Sequence, residues 1–359
     1  AQNIVIPQAP LIGAKSFILL DGLTGTEIAS LDADKKLAPA SLTKLMTAYT
    51  VFRALDANQI EIDEDVFVSE EAWQTEGSRM FIEVGTTVKV KDLLLGMIVQ
   101  SGNDASVALA EHTAGTEELF AHVMNQYAAQ LDMSSSNFKN STGLHHKEHF
   151  TTARDMGKLA LAIINEFPEY YQWYSVKEFK YNDINQRNRN TLLWRDPSVD
   201  GMKTGFTSDA GYCLVSSAKR NNTRLISVVL GTSSTQAREK GSSALLNYGF
   251  RFFETKLVYK ENQTVIDAIT WKGENEKTPL GLNEDLYITL PKGSYDQMQS
   301  SLALAEKIIA PVNKGETIGE LSLVLENTDE IVKPLVALKD NPAGSFWRQT
   351  LDQIKLWLE

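Results

Sequence analysis

The hydrophobic pattern of this 359-residue chain changes character near Lys256, and that change limits how the chain can fold. Before Lys256, apolar residues recur at helical spacing in several segments, beginning with the one that follows Pro39. After it, they fall in short β-like runs punctuated by Gly, Pro and Asn: Thr264–Ile269, Tyr287–Leu290, Leu302–Leu304, Glu320–Leu325 and Val332–Leu338. The pattern predicts a mixed helix and strand domain over 1–254 and a small all-β domain over 255–343.

The tail, residues 344–359, returns to a helical period. Its polar residues Arg348, Asp352 and Lys355 lie on one side, and Leu356 falls off the apolar arc, whose members are Phe346, Trp347, Leu351, Ile354, Trp357 and Leu358. Such a helix is too short to span a bilayer but can lie in its interface, with Trp at the headgroups. The pattern favours a membrane-anchoring helix; packing onto the β domain or onto a partner is the alternative.

Composition narrows the classes of function. The formal net charge is −11 and no basic stripe offsets it, which argues against nucleic acid as a partner. The single cysteine, Cys213, excludes an intrachain disulfide and a cysteine-based zinc site, and its apolar surroundings predict a core residue. The first residues lack the basic and apolar regions of a signal peptide, so an exported protein would be seen here in its mature form.

The segment Pro39–Tyr49 holds the first candidate for chemistry. Its apolar residues predict a buried amphipathic helix with Ser41 at the start, and Lys44 lies one turn further on the same side. A serine hydroxyl needs such a base, since it is a poor nucleophile at neutral pH. The helix N-terminus adds a positive field where negative charge would develop. The spacing therefore allows a lysine-activated serine.

The Ser-x-x-Lys pattern is not specific by itself. It also occurs at Ser136–Lys139 and at Ser216–Lys219, and about one such match is expected by chance in a chain of this size. Ser41 could also be no more than a helix cap. The other motifs of the chain have to decide between these interpretations.

Two further triplets follow in order, and each occurs once. Ser101-Gly102-Asn103 forms a polar corner between the apolar helices predicted at Val90–Val99 and Ala105–His112, where side chains can point into a cleft. Lys203-Thr204-Gly205 lies in a strand flanked by glycines, which predicts a sheet edge that another group approaches closely. The three motifs meet in this order by accident in roughly one chain in a hundred or fewer.

A metal site is the alternative interpretation of the polar loop predicted over residues 134–153. His145-x-x-Glu148-His149 has the letters of the inverted zincin motif. That motif needs a helix to bring both imidazoles to one face, whereas a segment that follows Thr142-Gly143 is typical of a loop. The sequence therefore favours a loop without a metal.

An aromatic cluster allows two interpretations as well. Its members could stack on sugar rings, but an aromatic helix face packed in the core is the favoured interpretation of Tyr170, Tyr171, Trp173 and Tyr174.

The ordered trio resembles the motifs of β-lactamases and penicillin-binding proteins. Gly102 in the middle triplet is similar to the low-molecular-mass penicillin-binding proteins, and the likeness continues through Thr207 and Tyr248–Phe253 to the β domain and the tail. The chain most resembles the serine D-alanyl-D-alanine carboxypeptidases of the penicillin-binding protein five/six type. The resemblance implies an α/β (α+β) serine β-lactamase/transpeptidase-like catalytic domain, a small all-β sandwich domain and a C-terminal amphipathic helix.

The resemblance also implies a function. The enzyme would remove the terminal D-alanine from peptidoglycan stem pentapeptides that end in D-Ala-D-Ala, and β-lactam antibiotics would acylate it. It would need neither a cofactor nor a metal. It would be exported and held at the periplasmic face of the bacterial cytoplasmic membrane by residues 344–359, where it would take part in cell-wall remodelling.

Three residues would carry the chemistry in a protein of this family. Ser41 would attack the carbonyl between the two D-alanines and form an acyl-enzyme, and Ser101 would relay a proton to the leaving amine. Lys44 can act as the base only when it is largely neutral, and burial together with the nearby Lys203 cation would depress its pKa.

Substrate binding would fall to Asn103, Lys203, Thr204, Gly205, Phe206 and Arg238. Asn103 would hydrogen-bond the peptide amide, while Lys203 and Thr204 would hold the terminal carboxylate with help from Arg238. The backbone N–H groups of Ser41 and Phe206 would form the oxyanion hole.

Two alternatives remain open at this point. A class A-like β-lactamase would need a Glu-x-x-Leu-Asn loop to activate the deacylating water, and the sequence contains no such segment. A catalytically silent protein that binds peptidoglycan or membrane could share the fold, although a silent site need not keep Ser41, Lys44, Ser101 and Lys203 together.

Overall fold

A computed structural model describes residues 6–325 and 330–358 of the chain. They form two compact units, one over Pro7–Phe252 and one that contains the chain from Phe253 onward. The predicted order of a mixed domain, a β-sheet domain and a final helix is confirmed. The limits 1–254, 255–343 and 344–359 stay a prediction, and they include residues 1–5, 326–329 and 359, which lie outside the described part.

The first unit contains both strands and helices. Its strands are β1 (Ser16–Asp21), β2 (Glu27–Leu31), β3 (Asp65–Phe67), β4 (Thr87–Lys89), β5 (Glu178–Tyr181), β6 (Ile184–Arg187), β7 (Val199–Thr207), β8 (Gly211–Arg220) and β9 (Thr223–Thr232). Its helices are α1 (Thr43–Asp56), α2 (Glu70–Gln74), α3 (Val90–Val99), α4 (Asn103–Ala114), α5 (Glu117–Gln130), α6 (Ala153–Glu166), α7 (Pro168–Tyr171), α8 (Leu192–Arg195) and α9 (Thr235–Phe252).

A five-stranded antiparallel sheet in the order β2-β1-β9-β8-β7 organises this unit. Alternate residues of its central strands face opposite sides, so the sheet has a core on each face. Helix α6 packs on β1 and β9 on one side, and α9 packs on β8 and β9 on the other. Strand β7 is an edge strand, as its glycines predicted.

Helix α1 is buried along almost its whole length among the other helices of this unit. Its Phe52 stacks on Tyr170 with ring centroids 4.8 Å apart, and Trp173 completes the cluster. Tyr171 and Tyr174 are buried in the same core. The prediction of a packed aromatic face is confirmed, and this packing fixes the helix that carries the Ser41 segment.

The second unit is a β-sheet domain. Its strands are β10 (Phe253–Tyr259), β11 (Thr264–Trp271), β12 (Lys277–Gly281), β13 (Leu286–Pro291), β14 (Gln299–Leu304), β15 (Ile308–Ile309), β16 (Thr317–Val324) and β17 (Ile331–Ala337). Six of them form a sheet in the order β14-β16-β17-β12-β11-β15, and β10 pairs with β13. Their inward residues build a core of their own, around Leu280, Leu321 and Leu335.

The tail forms helix α10 (Phe346–Leu358), as predicted. Its polar side faces the β-sheet domain: the buried Asp352 carboxylate accepts a hydrogen bond from the Lys272 backbone N–H at 2.8 Å, and Arg348 forms an ion pair with Glu276 at 2.9 Å. The described apolar residues of the arc point to solvent, with exposed fractions of 76% at Phe346 and 86% at Trp357. The side chain of Leu358 lies outside the description. The helix is thus attached to the β-sheet domain through its polar side, and the described residues of the apolar arc stay exposed.

In residues 6–325 and 330–358, no helix combines the length and the apolarity that crossing a bilayer requires.

Candidate active site

Ser41 lies in a single 3₁₀ turn, Ala40–Leu42, that leads directly into helix α1. The predicted position at the helix start is confirmed. Ala40 has a φ of +48°, so the chain makes a tight left-handed bend just before the serine. Helix α1 begins after Leu42 and has no side-chain cap. The Ser41 Oγ is instead 3.1 Å from Lys44 Nζ. The serine is thus presented to the lysine.

Lys44 is buried, and three oxygen atoms surround its Nζ. Asn103 Oδ1 is at 2.6 Å, the Thr142 carbonyl oxygen at 2.7 Å and Ser41 Oγ at 3.1 Å. The first two oxygens carry no hydrogen, so they can only accept. A neutral lysine amine has two hydrogens and one lone pair, and the two acceptors use both hydrogens. The lone pair then faces the Ser41 hydroxyl at a distance suited to proton transfer.

Burial lowers the pKa of Lys44 from its ordinary value of 10.5 to about 7. The Asp104 and Glu117 carboxylates oppose this shift, while the Arg189 cation adds to it. The sequence suggested Lys203 as the cation that depresses this pKa; Lys203 and Lys44 do act on each other as like charges, and Arg189 is a second cation that lowers the pKa of Lys44. Lys44 is therefore neutral in a substantial fraction of molecules at neutral pH, which a lysine in water is not.

Ser101 and Lys203 form a second pair of hydroxyl and amine. Lys203 Nζ donates to Ser101 Oγ at 2.8 Å and to the Thr204 carbonyl oxygen at 3.1 Å. Burial, and after it the charge of Lys44, holds the pKa of Lys203 well below its usual value. Strand β7 and the turn before α4 thus bring the second and third sequence motifs together.

The turn that carries Ser101 is strained and is held from outside. Ser101 has a φ of +67°, a conformation that costs a non-glycine residue about 1–3 kcal/mol. The Asn103 N–H donates to the Ser78 carbonyl at 2.6 Å. The buried Asp104 carboxylate accepts hydrogen bonds from the backbone N–H groups of Met80, Phe81 and Ile82. These hydrogen bonds hold the backbone of the turn in place.

Asn103 bonds to Lys44, a contact that the sequence did not predict. Its Oδ1 accepts from Lys44, and its Nδ2 donates to the Glu76 carbonyl at 2.5 Å. Both ends of the amide are thus used within the protein, and the side chain is buried. The structure brings Asn103 to Lys44, and its contact with the substrate amide stays a prediction.

A cleft of about 230 Å³ opens above these pairs. It is lined by Ser41, Ser78, Ser101, Arg189, Thr204, Gly205, Phe206, Tyr212, Thr235 and Arg238. The buried Arg238 guanidinium donates to the Gly205 carbonyl at 3.1 Å, and its Nε has no hydrogen-bond partner among the described residues. Two arginines and polar side chains make the cleft suited to an anion.

Gly205 allows the edge strand to reach the serine. A Cβ at this position would lie 3.1 Å from the Pro39 carbonyl oxygen and 3.2 Å from the backbone nitrogen of Ser41. Such contacts are tighter than most real ones, so a larger residue would push β7 away from the 3₁₀ turn. The glycine of the third motif therefore allows β7 to lie next to the turn that carries Ser41.

Comparison with protein families gives this geometry a context. A family model described as D-alanyl-D-alanine carboxypeptidase matches residues 3–234, and one described as penicillin-binding protein 5, C-terminal domain, matches residues 253–343. The chain belongs to the D-alanyl-D-alanine carboxypeptidase family. The predicted resemblance, and with it the serine-type carboxypeptidase class and the cell-wall function, is confirmed.

Individual relatives match two thirds of this carboxypeptidase or more. D-alanyl-D-alanine carboxypeptidase DacC of Escherichia coli (strain K12) is 40% identical over 357 residues, which cover 97% of this chain and 89% of that protein. Penicillin binding protein 5 from Haemophilus influenzae has a TM-score of 0.88 at 39% identity and covers 94% of this chain and 100% of its own. Penicillin-Binding Protein D2 from Listeria monocytogenes, solved in an ampicillin-bound form, has a TM-score of 0.59 at 31% identity, over 67% of this chain and 98% of its own.

The other two Ser-x-x-Lys matches do not form pairs in the carboxypeptidase. Ser136 Oγ donates to Asp155 at 2.7 Å, while Lys139 forms an ion pair with Glu148 at 3.3 Å. Ser216 lies in strand β8, where residues three apart face opposite sides of the sheet, so Lys219 is directed away from it. Of the three matches, the one at Ser41 has the lysine at the serine.

The histidine motif is dispersed. The segment is a loop, as predicted, and exposed His145 contacts Asp209 at 2.6 Å. His149 is buried with its Nε2 2.9 Å from Thr43 Oγ1, and burial lowers its pKa to about 4. Within residues 6–325 and 330–358, no group of three or more His, Cys, Asp or Glu could hold a metal ion.

Sequence reasoning missed four of the residues that line the cleft: Ser78, Arg189, Tyr212 and Thr235. Arg189 stands in the segment Arg187-Asn188-Arg189-Asn190, whose density of polar residues was a usable signal. Ser78, in a loop, and Thr235, at the start of α9, carry no such signal, because only tertiary contacts bring them to the site.

Proposed function

We propose that Ser41 is the nucleophile with which this carboxypeptidase removes the terminal D-alanine of peptidoglycan stem pentapeptides. Neutral Lys44 takes the Ser41 proton while Oγ bonds to the carbonyl carbon of the penultimate residue. The carbon–nitrogen bond to the last D-alanine then breaks, and Ser101 relays a proton to the departing amine. Water hydrolyses the resulting ester. The observation that carries the proposal is the set of three oxygens around Lys44 Nζ, which leaves the amine lone pair for Ser41.

The same proposal assigns the cationic part of the cleft to the substrate carboxylate. Lys203 and Thr204 hold the terminal carboxylate, and Arg238 adds an N–H that is buried without a partner among the described residues. Arg189 contributes a further positive charge. The backbone N–H groups of Ser41 and Phe206 form the oxyanion hole, which the close approach allowed by Gly205 supports.

Release of D-alanine from a pentapeptide ending in D-Ala-D-Ala tests this function. We expect one D-alanine per peptide, and no release from a peptide whose last residue is amidated, because the amide lacks the charge that the cleft binds. Equal rates with both peptides would contradict the carboxylate site.

Penicillin should form a long-lived adduct with the protein. A β-lactam acylates the same serine in this proposal, and the sequence has no Glu-x-x-Leu-Asn segment to activate a deacylating water. Intact-mass spectrometry should show a one-to-one adduct that persists for minutes, with little hydrolysed drug. Many turnovers per second would move the protein to the β-lactamases, and the absence of any adduct would favour a silent binder.

We also propose that the carboxypeptidase works at the periplasmic face of the cytoplasmic membrane, held there by α10. The exposed arc of this helix supports the proposal, since the polar residues Arg348 and Asp352 attach the helix to its own domain and leave Phe346, Trp347 and Trp357 to solvent.

Replacement of Phe346, Trp347 and Trp357 by serine should release the protein from vesicles of phosphatidylethanolamine and phosphatidylglycerol in a sedimentation assay. The polar contacts of α10 are kept in this variant, so D-alanine release from a soluble peptide should stay within about twofold. Leu302→Ser, at an exposed leucine of strand β14, is the control. Intact protein that stays in the supernatant would make the membrane proposal wrong.

A further inference from the structure

The carbonyl oxygen that accepts a hydrogen from Lys44 comes from a turn far along the chain. Thr142 provides it, at 2.7 Å from Nζ, and the next residue is Gly143. A Cβ on Gly143 would lie 1.8 Å from the Ala40 carbonyl oxygen. The turn is therefore pressed directly against the backbone that presents Ser41, and its position decides where the Lys44 amine is directed.

Ser141 anchors this turn. It is completely buried, and Thr47 Oγ1 of helix α1 donates to its carbonyl oxygen at 2.6 Å. Its N–H and its hydroxyl both donate to one oxygen, Glu117 Oε1, at 2.9 and 2.5 Å. One carboxylate oxygen thus satisfies two buried donors. Its loss would leave both without an acceptor, which is energetically costly.

Glu117 is well placed for such a role. It is the first residue of helix α5, where Thr116 caps the helix and the free backbone N–H groups favour a negative charge. It belongs neither to the three sequence motifs nor to the lining of the cleft. Its carboxylate therefore acts on the site through Ser141 and the turn.

We propose that Glu117 is a positioning residue: by holding Ser141, it keeps the Thr142 carbonyl on Lys44 and so directs the amine lone pair to Ser41. This inference rests on the proposed role of Lys44 as the base. A loose turn would allow the amine to rotate, and small displacements of a catalytic group cost large factors in rate. The Glu117 charge also opposes the fall of the Lys44 pKa.

Three variants test the proposal through the rate constant of penicillin acylation, measured across pH. Glu117→Ala removes the acceptor and should lower the plateau rate by about tenfold to a hundredfold, while the apparent dissociation constant of penicillin stays within about threefold. Glu117→Gln keeps an acceptor oxygen, so its plateau should stay within about threefold of wild type. Glu117→Gln also removes a negative charge near Lys44, so its acylation rate should begin to rise with pH at a lower pH than in the wild type. Glu118→Gln, an exposed glutamate in the same turn of α5, is the control and should change neither.

A wild-type plateau in Glu117→Ala would overturn the proposal, as would an equal loss in Glu117→Gln. If Glu117→Ala does not fold, Glu117→Gln and Glu118→Gln decide. The proposal is supported if the rise of the acylation rate with pH shifts in Glu117→Gln and not in Glu118→Gln. It is overturned if the rise has the same midpoint in the two variants. Wild-type protein that penicillin does not label at Ser41 would instead overturn the proposed function itself.

Discussion

Replacing Ser41 by alanine should abolish D-alanine release and covalent labelling by penicillin together. The substitution removes the only atom that can form the acyl bond, so the expected loss in rate is on the order of 10⁴-fold or more. The side chain is small and lies in a surface turn of the cleft, so the free energy of unfolding should change little. Labelling is measured by intact-mass spectrometry, and D-alanine release with a soluble pentapeptide.

Ser136→Ala and Ser216→Ala are the matched controls for this prediction. Both serines belong to a Ser-x-x-Lys match, but neither is paired with its lysine. Their variants should be labelled as wild type, and peptide mapping of the wild-type adduct should identify the peptide that contains Ser41. An adduct on either of the other serines, or labelling that persists in Ser41→Ala, would make the assignment wrong.

Lys44→Arg should lose acylation by about a thousandfold, although the positive charge is kept. A guanidinium remains protonated at every pH that a protein tolerates, so it has no lone pair for the Ser41 proton. Lys203→Arg should be milder, by about tenfold to a hundredfold, because its proposed role is to hold a carboxylate, which a guanidinium can also do. Stopped-flow acylation rates compare the two variants. Equal losses in the two variants would contradict the assignment of Lys44 as the base and of Lys203 as the carboxylate-binding residue.

The relation between Ser41 and Lys44 could be predicted because it is local. Residues three apart at the start of a helix face the same side in any fold, so the sequence alone indicated the pair. The contact of Lys203 with Ser101 joins residues 102 positions apart and was reachable only through the family resemblance. The Thr142 carbonyl could not be foreseen at all, since every residue carries a carbonyl and no side chain marks the one that is used.

The placement of Asn103 shows a second limit. Its residue type allowed a bond to substrate, but a buried lysine amine needs acceptors, and the nearest amide oxygen supplies one. Local competition for hydrogen bonds of this kind depends on tertiary contacts. The sequence therefore identified a residue of the site without foreseeing its bond to Lys44, and the contact of Asn103 with the substrate amide stays a prediction.

In the fold, the strands missed by sequence reasoning have physical explanations. Strand β12 contains Pro279 and ends at Gly281, which are typical of loops, and its register between two neighbours overrides that tendency. Strand β10 follows α9 directly, with no turn residue between them, so the change of pattern near Lys256 marked the domain boundary but not this strand. Helices with regular apolar spacing, such as α3 and α4, were predicted to within two residues at either end.

The pH dependence of penicillin acylation in the wild-type protein tests the central claim most directly, namely that a neutral Lys44 activates Ser41. The base must lose its proton before it can accept one, and burial lowers its pKa to about 7. The second-order rate constant should therefore rise with pH through a midpoint near 7 and level off above 8, and the Lys44→Arg variant should show no such limb. A rate that is flat from pH 5 to 9, or that rises only toward pH 10 as for a lysine in water, would contradict the account.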